Sequence, residues 1–145
     1  FWKALKIYLN RHKFANAETT DLQKVFEETS GRNLDWFFRQ WVYSAGFPQI
    51  EIQPVYNPAT KTLTLTVTQT QKTEGNSPNA YVLPLEVEIQ TAGGAQIEKL
   101  EINRRTQNFS VQLKDKPDNL VFDKSSKLPL VNVKAKAIAI SNVQR

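Results

Sequence analysis

Between residues 34 and 52 the hydrophobic pattern of the chain changes period. Leu34, Phe37, Phe38, Trp41 and Val42 recur in steps of three and one, the wide apolar stripe of an amphipathic helix that begins near Asn33. Past Gly46-Phe47-Pro48 the period falls to two, with Ile50 and Ile52 alternating against Glu51 and Gln53. Gly46 and Pro48 are the stop signal between the two patterns. Glycine tolerates positive φ, and proline lacks the amide proton that a helix needs.

Upstream, the pattern predicts two more helices. Phe1, Leu5, Tyr8 and Leu9 recur at helical spacing, with Trp2 beside them. Thr20-Asp21-Leu22-Gln23 has the spelling of a capping box, which would start the second helix at Thr20 with Gln23 reaching back. Leu22, Val25 and Phe26 form its inner face, and Gly31 is placed to end it in the left-handed conformation.

Downstream, "TLTLTVTQTQ" puts Leu63, Leu65 and Val67 on one face of a strand and threonines on the other. Tyr81, Leu83, Leu85, Val87 and Ile89 alternate next, and Pro84 among them predicts an edge strand or a bulge. "QIEKLEIN" changes phase around Glu98-Lys99, which predicts a bulge there. Phe109, Val111 and Leu113 make a further strand, and "NLVFD" a short one. The tail from Leu128 is open between a strand and a linker. The expected fold is α+β by segment: a short helical piece over residues 1–48, then an antiparallel β-sandwich over 49–145.

Composition sharpens this division. Of 15 Phe, Trp and Tyr residues, 11 lie in residues 1–48, including all three Trp. So many large rings, each bringing roughly 150–250 Å² to hide, exceed what three short helices can bury. The reading preferred over a self-contained subdomain is therefore the end of a larger helical domain.

The net charge of +5 is dispersed, 7 basic against 5 acidic residues before position 49 and 12 against 9 after it. Only Arg104-Arg105 and the Lys134/Lys136 pair are locally basic, so nucleic-acid binding is not expected. No run of about 18 apolar residues predicts a transmembrane helix. Without cysteine the chain has neither disulfides nor thiolate metal sites. It opens on Phe1 and contains no Met, so the natural start is expected upstream and the compartment is left open.

Residues 1–52 resemble the end of the thermolysin-like catalytic domain of aminopeptidase N-type zinc metallopeptidases. The likeness runs through Phe1-Trp2, Tyr8-Leu9, Phe14, "NAETTDL", Ser30-Gly31, Leu34, Phe37-Phe38, Gln40-Trp41 and Gly46-Phe47-Pro48. Beyond residue 52 it is architectural, with "NLVFDKSSKLPLVNVK" similar to the closing strand of the β-sandwich domain that follows in that family. The resemblance implies a parent that removes N-terminal residues from peptides, using zinc held by H-E-x-x-H and a further Glu. It also implies an amine-gripping G-x-M-E-N segment and a transition-state Tyr. None of these is here: His12 is the one imidazole, Met is absent, and Tyr8 does not match the family's tyrosine. Catalytic, cofactor-binding and metal residues are therefore all assigned as none, with zinc expected only in the parent. The expected partner is the remainder of the catalytic domain, met through Phe37, Phe38 and Trp41. The sandwich is expected to act as a spacer. The alternative is an autonomous β-sandwich module binding peptide or carbohydrate.

Other chemistry-bearing residues have plainer readings. His12 is expected exposed or at an interface. Asp21, Glu27 and Glu28 are expected to decorate the solvated face of a helix rather than form an acid–base pair. Trp41 is expected in packing and Trp36 exposed. Asn108-Phe109-Ser110 spells a sequon inside a predicted strand. Asp123 is expected to satisfy turn amides.

Overall fold

The computed structural model of the chain describes residues 1–128 and 132–141. It divides into two compact units, Phe1–Ser44 and Ala45–Arg145.

The first unit starts with a helical hairpin, α1 (Trp2–Arg11) and α2 (Thr19–Ser30). Ala4 of α1 and Val25 of α2 are buried, and the rings of Phe1 and Phe26 meet at 5.5 Å. The Arg11 guanidinium grips Glu28 with both nitrogens, at 3.2 and 2.9 Å. The capping box of α2 sits two residues earlier than the sequence spelling predicts. Glu18 is the N-cap, and its N–H donates to Asp21 Oδ2 at 3.0 Å. Asp21 thus fills the place that the spelling gives to Gln23. Gly31 ends the helix at φ 66°, as predicted.

The third helix is not the single long one that its stripe predicts. Four α-helical residues, α3 (Asp35–Phe38), run into a π-helical turn over Arg39–Tyr43. A π turn closes on the fifth residue rather than the fourth, so steps of three and four no longer hold one face. The stripe splits accordingly: Phe38 is buried, Trp41 half-buried, and Phe37 and Val42 exposed.

The second unit contains two sheets, one five-stranded and one three-stranded. In the first, β1 (Gln49–Asn57) pairs antiparallel with β2 (Thr62–Gln69), and β2 with β5 (Thr106–Gln112). In the second, β3 (Leu83–Thr91) lies between β4 (Gly94–Ile102) and β6 (Pro117–Phe122). Asn57 closes the β1–β2 turn, its Oδ1 accepting the Ala59 and Thr60 amides at 2.9 and 3.3 Å.

The described part of the tail from Leu128 holds two strands, and the rest of it lies outside the described residues. β7 (Asn132–Ala135) and β8 (Ala139–Ile140) both pair parallel with β1, so one edge of an otherwise antiparallel sandwich is parallel. The break between them falls opposite Gln53-Pro54. Pro54 has no N–H to give an edge ladder, and residues 136–138 loop past it.

Pro84 takes the edge-like alternative to a bulge, and the bulge predicted at Glu98-Lys99 is corrected. Pro84 pairs with Glu101 in regular register. β6 reaches only Val87–Thr91 on the other side, so a proline costs no second ladder at position 84. At Glu98-Lys99 β4 also stays in register with β3. The change of phase there arises because Ile97 faces outward, 63% exposed, while Leu100 and Ile102 face the core. The irregularity the fold does contain lies at Gln90/Thr91, against β6.

The core is what alternation predicts. Leu63, Leu65 and Val67 of β2 and Leu83, Leu85, Val87 and Ile89 of β3 are fully buried, together with Tyr81.

Candidate functional site

Among the described residues no three His, Cys, Asp or Glu side chains converge. His12 is half-buried and sits 5.2 Å from the Tyr8 ring. One imidazole and scattered carboxylates do not fit the ligand set of a peptidase zinc ion. Among the described residues no helix is long and apolar enough to cross a membrane.

Glu28 lies on the solvated face of its helix as expected, and Asp21, Glu27 and Glu28 also make local hydrogen bonds. Glu28 is held below the usual carboxylate range by its hydrogen bond from Arg11, and Arg11 is raised in turn. Glu27 accepts the Leu34 amide at 2.8 Å and so joins α2 to the start of α3. Asp123 Oδ1 and Oδ2 accept the Lys127 and Leu128 amides at 2.9 and 3.1 Å, the turn role expected of it. Nearby, Glu88 is lowered chiefly by its hydrogen bond from Lys124, at 2.8 Å, with Gln90 adding a second. Asn108 lies exposed on β5.

Phe37, Phe38 and Trp41 do not make one exposed patch, because Phe38 is already buried. Trp36 is exposed, as expected, and its ring meets Phe37 edge-on at 5.9 Å. The larger apolar surface is on α1. Trp2 is 78% and Leu9 59% exposed, and with Leu5 and Lys6 they line a shallow depression. Helical spacing groups Phe1, Leu5, Tyr8 and Leu9 on one face, but the helix uses two. Ala4 is buried and the Phe1 ring meets Phe26 of α2, while Leu5 is half-buried and Trp2 and Leu9 are exposed. The signal was the width of the apolar set: Phe1, Trp2, Ala4, Leu5, Ile7, Tyr8 and Leu9 reach well beyond a single stripe.

A second arrangement, wholly inside the sandwich unit, holds the chain where it begins the sandwich. The loop between β2 and β3 is tied down by polar groups as well as by the buried ring of Tyr81. Gln69 and Tyr81 exchange two hydrogen bonds: the Tyr81 N–H donates to Gln69 Oε1 at 2.8 Å, and Gln69 Nε2 to the Tyr81 carbonyl at 2.9 Å. Arg105 donates to the Gln71 and Asn79 carbonyls at 2.8 and 3.1 Å.

From this loop two groups reach the crossing. Asn76 Oδ1 accepts the Ala45 amide at 3.1 Å, and the Tyr81 hydroxyl donates to the Ala45 carbonyl at 3.2 Å. Burial raises the Tyr81 phenol above its ordinary range. At Gly46, φ is +83°, and a Cβ would sit 3.3 Å from Ser77 Oγ. Backbone conformation and close approach thus both require glycine there. The buried glutamines were detectable in principle, because the inward phase of Leu63, Leu65 and Val67 continues into Gln69 and Gln71.

At another edge, Pro117 and Leu120 of β6 face Ile138 and Ile140 across an open groove of about 510 Å³. Its lining is mixed, with Lys116, Asp118, Asn119 and Lys136 beside the apolar residues.

Comparison with known proteins supplies the context. Residues 46–136 match the family described as "Domain of unknown function (DUF3458) Ig-like fold". A puromycin-sensitive aminopeptidase of Caenorhabditis elegans is 24% identical over 114 residues, 77% of this chain and 12% of that protein. Aminopeptidase N of Streptomyces lividans is 40% identical over 55 residues, 35% of this chain and 6% of that protein. Among solved structures, aminopeptidase A of Legionella pneumophila in complex with aspartic acid superposes with a TM-score of 0.69. That match has 18% identity and covers 93% of this chain and 15% of the other, a likeness of fold. The chain therefore spans about an eighth of the length of the first of these relatives.

Proposed function

The chain belongs to the DUF3458 Ig-like family, and from that premise we propose that it is the non-catalytic junction of an aminopeptidase N-type zinc peptidase. Residues 1–48 are the last helices of a thermolysin-like catalytic domain, and 49–145 are the sandwich that follows it. The sandwich serves as a spacer, and peptide hydrolysis belongs to polypeptide beyond this chain. The observation that carries the reading is the uncovered apolar face of α1, with Trp2 and Leu9 exposed on a chain that spans 12% of a matched aminopeptidase. A face of this kind is normally buried by a partner surface. The partner proposed here is the rest of the catalytic domain, which would also cover Phe37.

Metal chemistry in the parent is assigned to residues outside this chain, because His12 cannot supply the two imidazoles of an H-E-x-x-H site. Incubating the chain with zinc and an aminoacyl reporter substrate tests the reading. No turnover above an equal-mass control protein is expected. Turnover that disappears with a chelator would overturn it.

A further inference from the structure

We infer that one buried water binds at Gln71 Oε1 and completes the polar joint beneath the β2–β3 loop. The Gln71 side chain is 3% exposed, and its Oε1 is buried with no hydrogen-bond donor in reach. Its Nε2 points at three oxygens: Gln69 Oε1 at 3.3 Å, the Asn79 carbonyl at 3.4 Å and the Pro78 carbonyl at 3.5 Å. That surrounding fixes which way the amide lies, since turning it over would set Oε1 against the same three acceptors.

Oε1 therefore needs a donor that the surrounding side chains do not supply. The nearby Arg105 guanidinium is already committed to the Gln71 and Asn79 carbonyls. An unmet buried acceptor is destabilising, and buried polar groups are met by internal water where protein donors are lacking. The three Nε2 hydrogen bonds are long, so they set the orientation of the amide without holding it tightly.

The chemistry selects the guest. An anion would present one more acceptor to Oε1. A metal cation would have to sit beside the Arg105 charge. Water donates one proton to Oε1 and keeps the other, with both lone pairs, for its surroundings. The inference is independent of the aminopeptidase reading, since it concerns only how the loop is held to the sandwich.

Water-to-amide magnetisation transfer in the glutamine-labelled chain tests it. The Gln71 side-chain amide protons should show a cross-peak to water with the sign of a long-lived bound molecule. In Gln71→Leu, oxygen-17 relaxation dispersion should count one fewer long-lived water. Absence of the cross-peak in the unaltered chain overturns the proposal, as does an unchanged water count in a folded Gln71→Leu. Should that variant fail to fold, the cross-peak in the unaltered chain decides by itself.

Discussion

In the sandwich, Leu63, Leu65, Val67, Leu85 and Ile89 are wholly withdrawn from solvent, whereas on α1 Trp2 and Leu9 remain 78% and 59% exposed. Both sets are large and apolar, and both lie on regular elements. What differs is the cover available within the described residues. A strand in a two-sheet sandwich needs only one face covered, and the second sheet covers it. A helix with apolar residues on two sides needs two partners, and α2 is only one. Exposure therefore separates the unit that finishes its own core from the unit that leaves large apolar side chains in solvent.

Substitutions can break or sharpen this contrast. The largest effect is expected in the sandwich core. Leu65→Ala removes a fully buried side chain and should lower unfolding free energy by about 2–5 kcal/mol, read from urea midpoints. A cost below about 0.5 kcal/mol would mean that this core is not closed.

Next is the crossing at Gly46. Its φ of +83° lies where a Cβ is strained, and Ser77 Oγ stands 3.3 Å from that position. Gly46→Ala should cost about 1–2 kcal/mol, visible as a lowered melting temperature. No change would show that the crossing is free to relax.

Smaller is the pH dependence of Glu88. Its carboxylate is held below the usual value by hydrogen bonds from Lys124 and Gln90. A depressed pKa contributes stability above the ordinary glutamate pKa of about 4.3, and that stability is lost as pH falls through the lower folded value. Glu88→Gln should therefore flatten the melting curve against pH on the acid side and leave its slope near neutrality unchanged.

The smallest effect is expected on α1. Leu9→Gln should change stability by less than about 0.5 kcal/mol, yet reduce binding of an apolar dye. A cost like that of Leu65→Ala would place Leu9 in a core and remove the contrast.

How much of this was legible in the sequence depended on whether one residue's role was settled by its neighbours in the chain. Alternation placed Leu63, Leu65 and Val67 inward, because the period of a strand is geometric. Gly31 and Asp123 were readable for a similar reason, since each satisfies backbone groups a few residues away. The α2 cap was misplaced because the box is made by two carboxylates, Glu18 and Asp21, outside the Ser/Thr-x-x-Glu/Gln spelling that Thr20-Gln23 matches. The π turn at Arg39–Tyr43 was hidden, since the same apolar residues fit a regular helix. Ile97 looked like a bulge because outward apolar residues break the alternation that sequence reading relies on. The Gln69–Gln71–Arg105 joint joins positions more than thirty residues apart, beyond the reach of local pattern. A two-histidine metal motif was excluded by composition alone, since His12 is the one imidazole.

The central claim, that the α1 face is covered by the rest of a longer polypeptide, is tested most directly by acrylamide quenching of Trp2 with Trp36 and Trp41 changed to Phe. The account predicts strong quenching in this chain and marked protection in the full-length polypeptide. Equal quenching in both would contradict it.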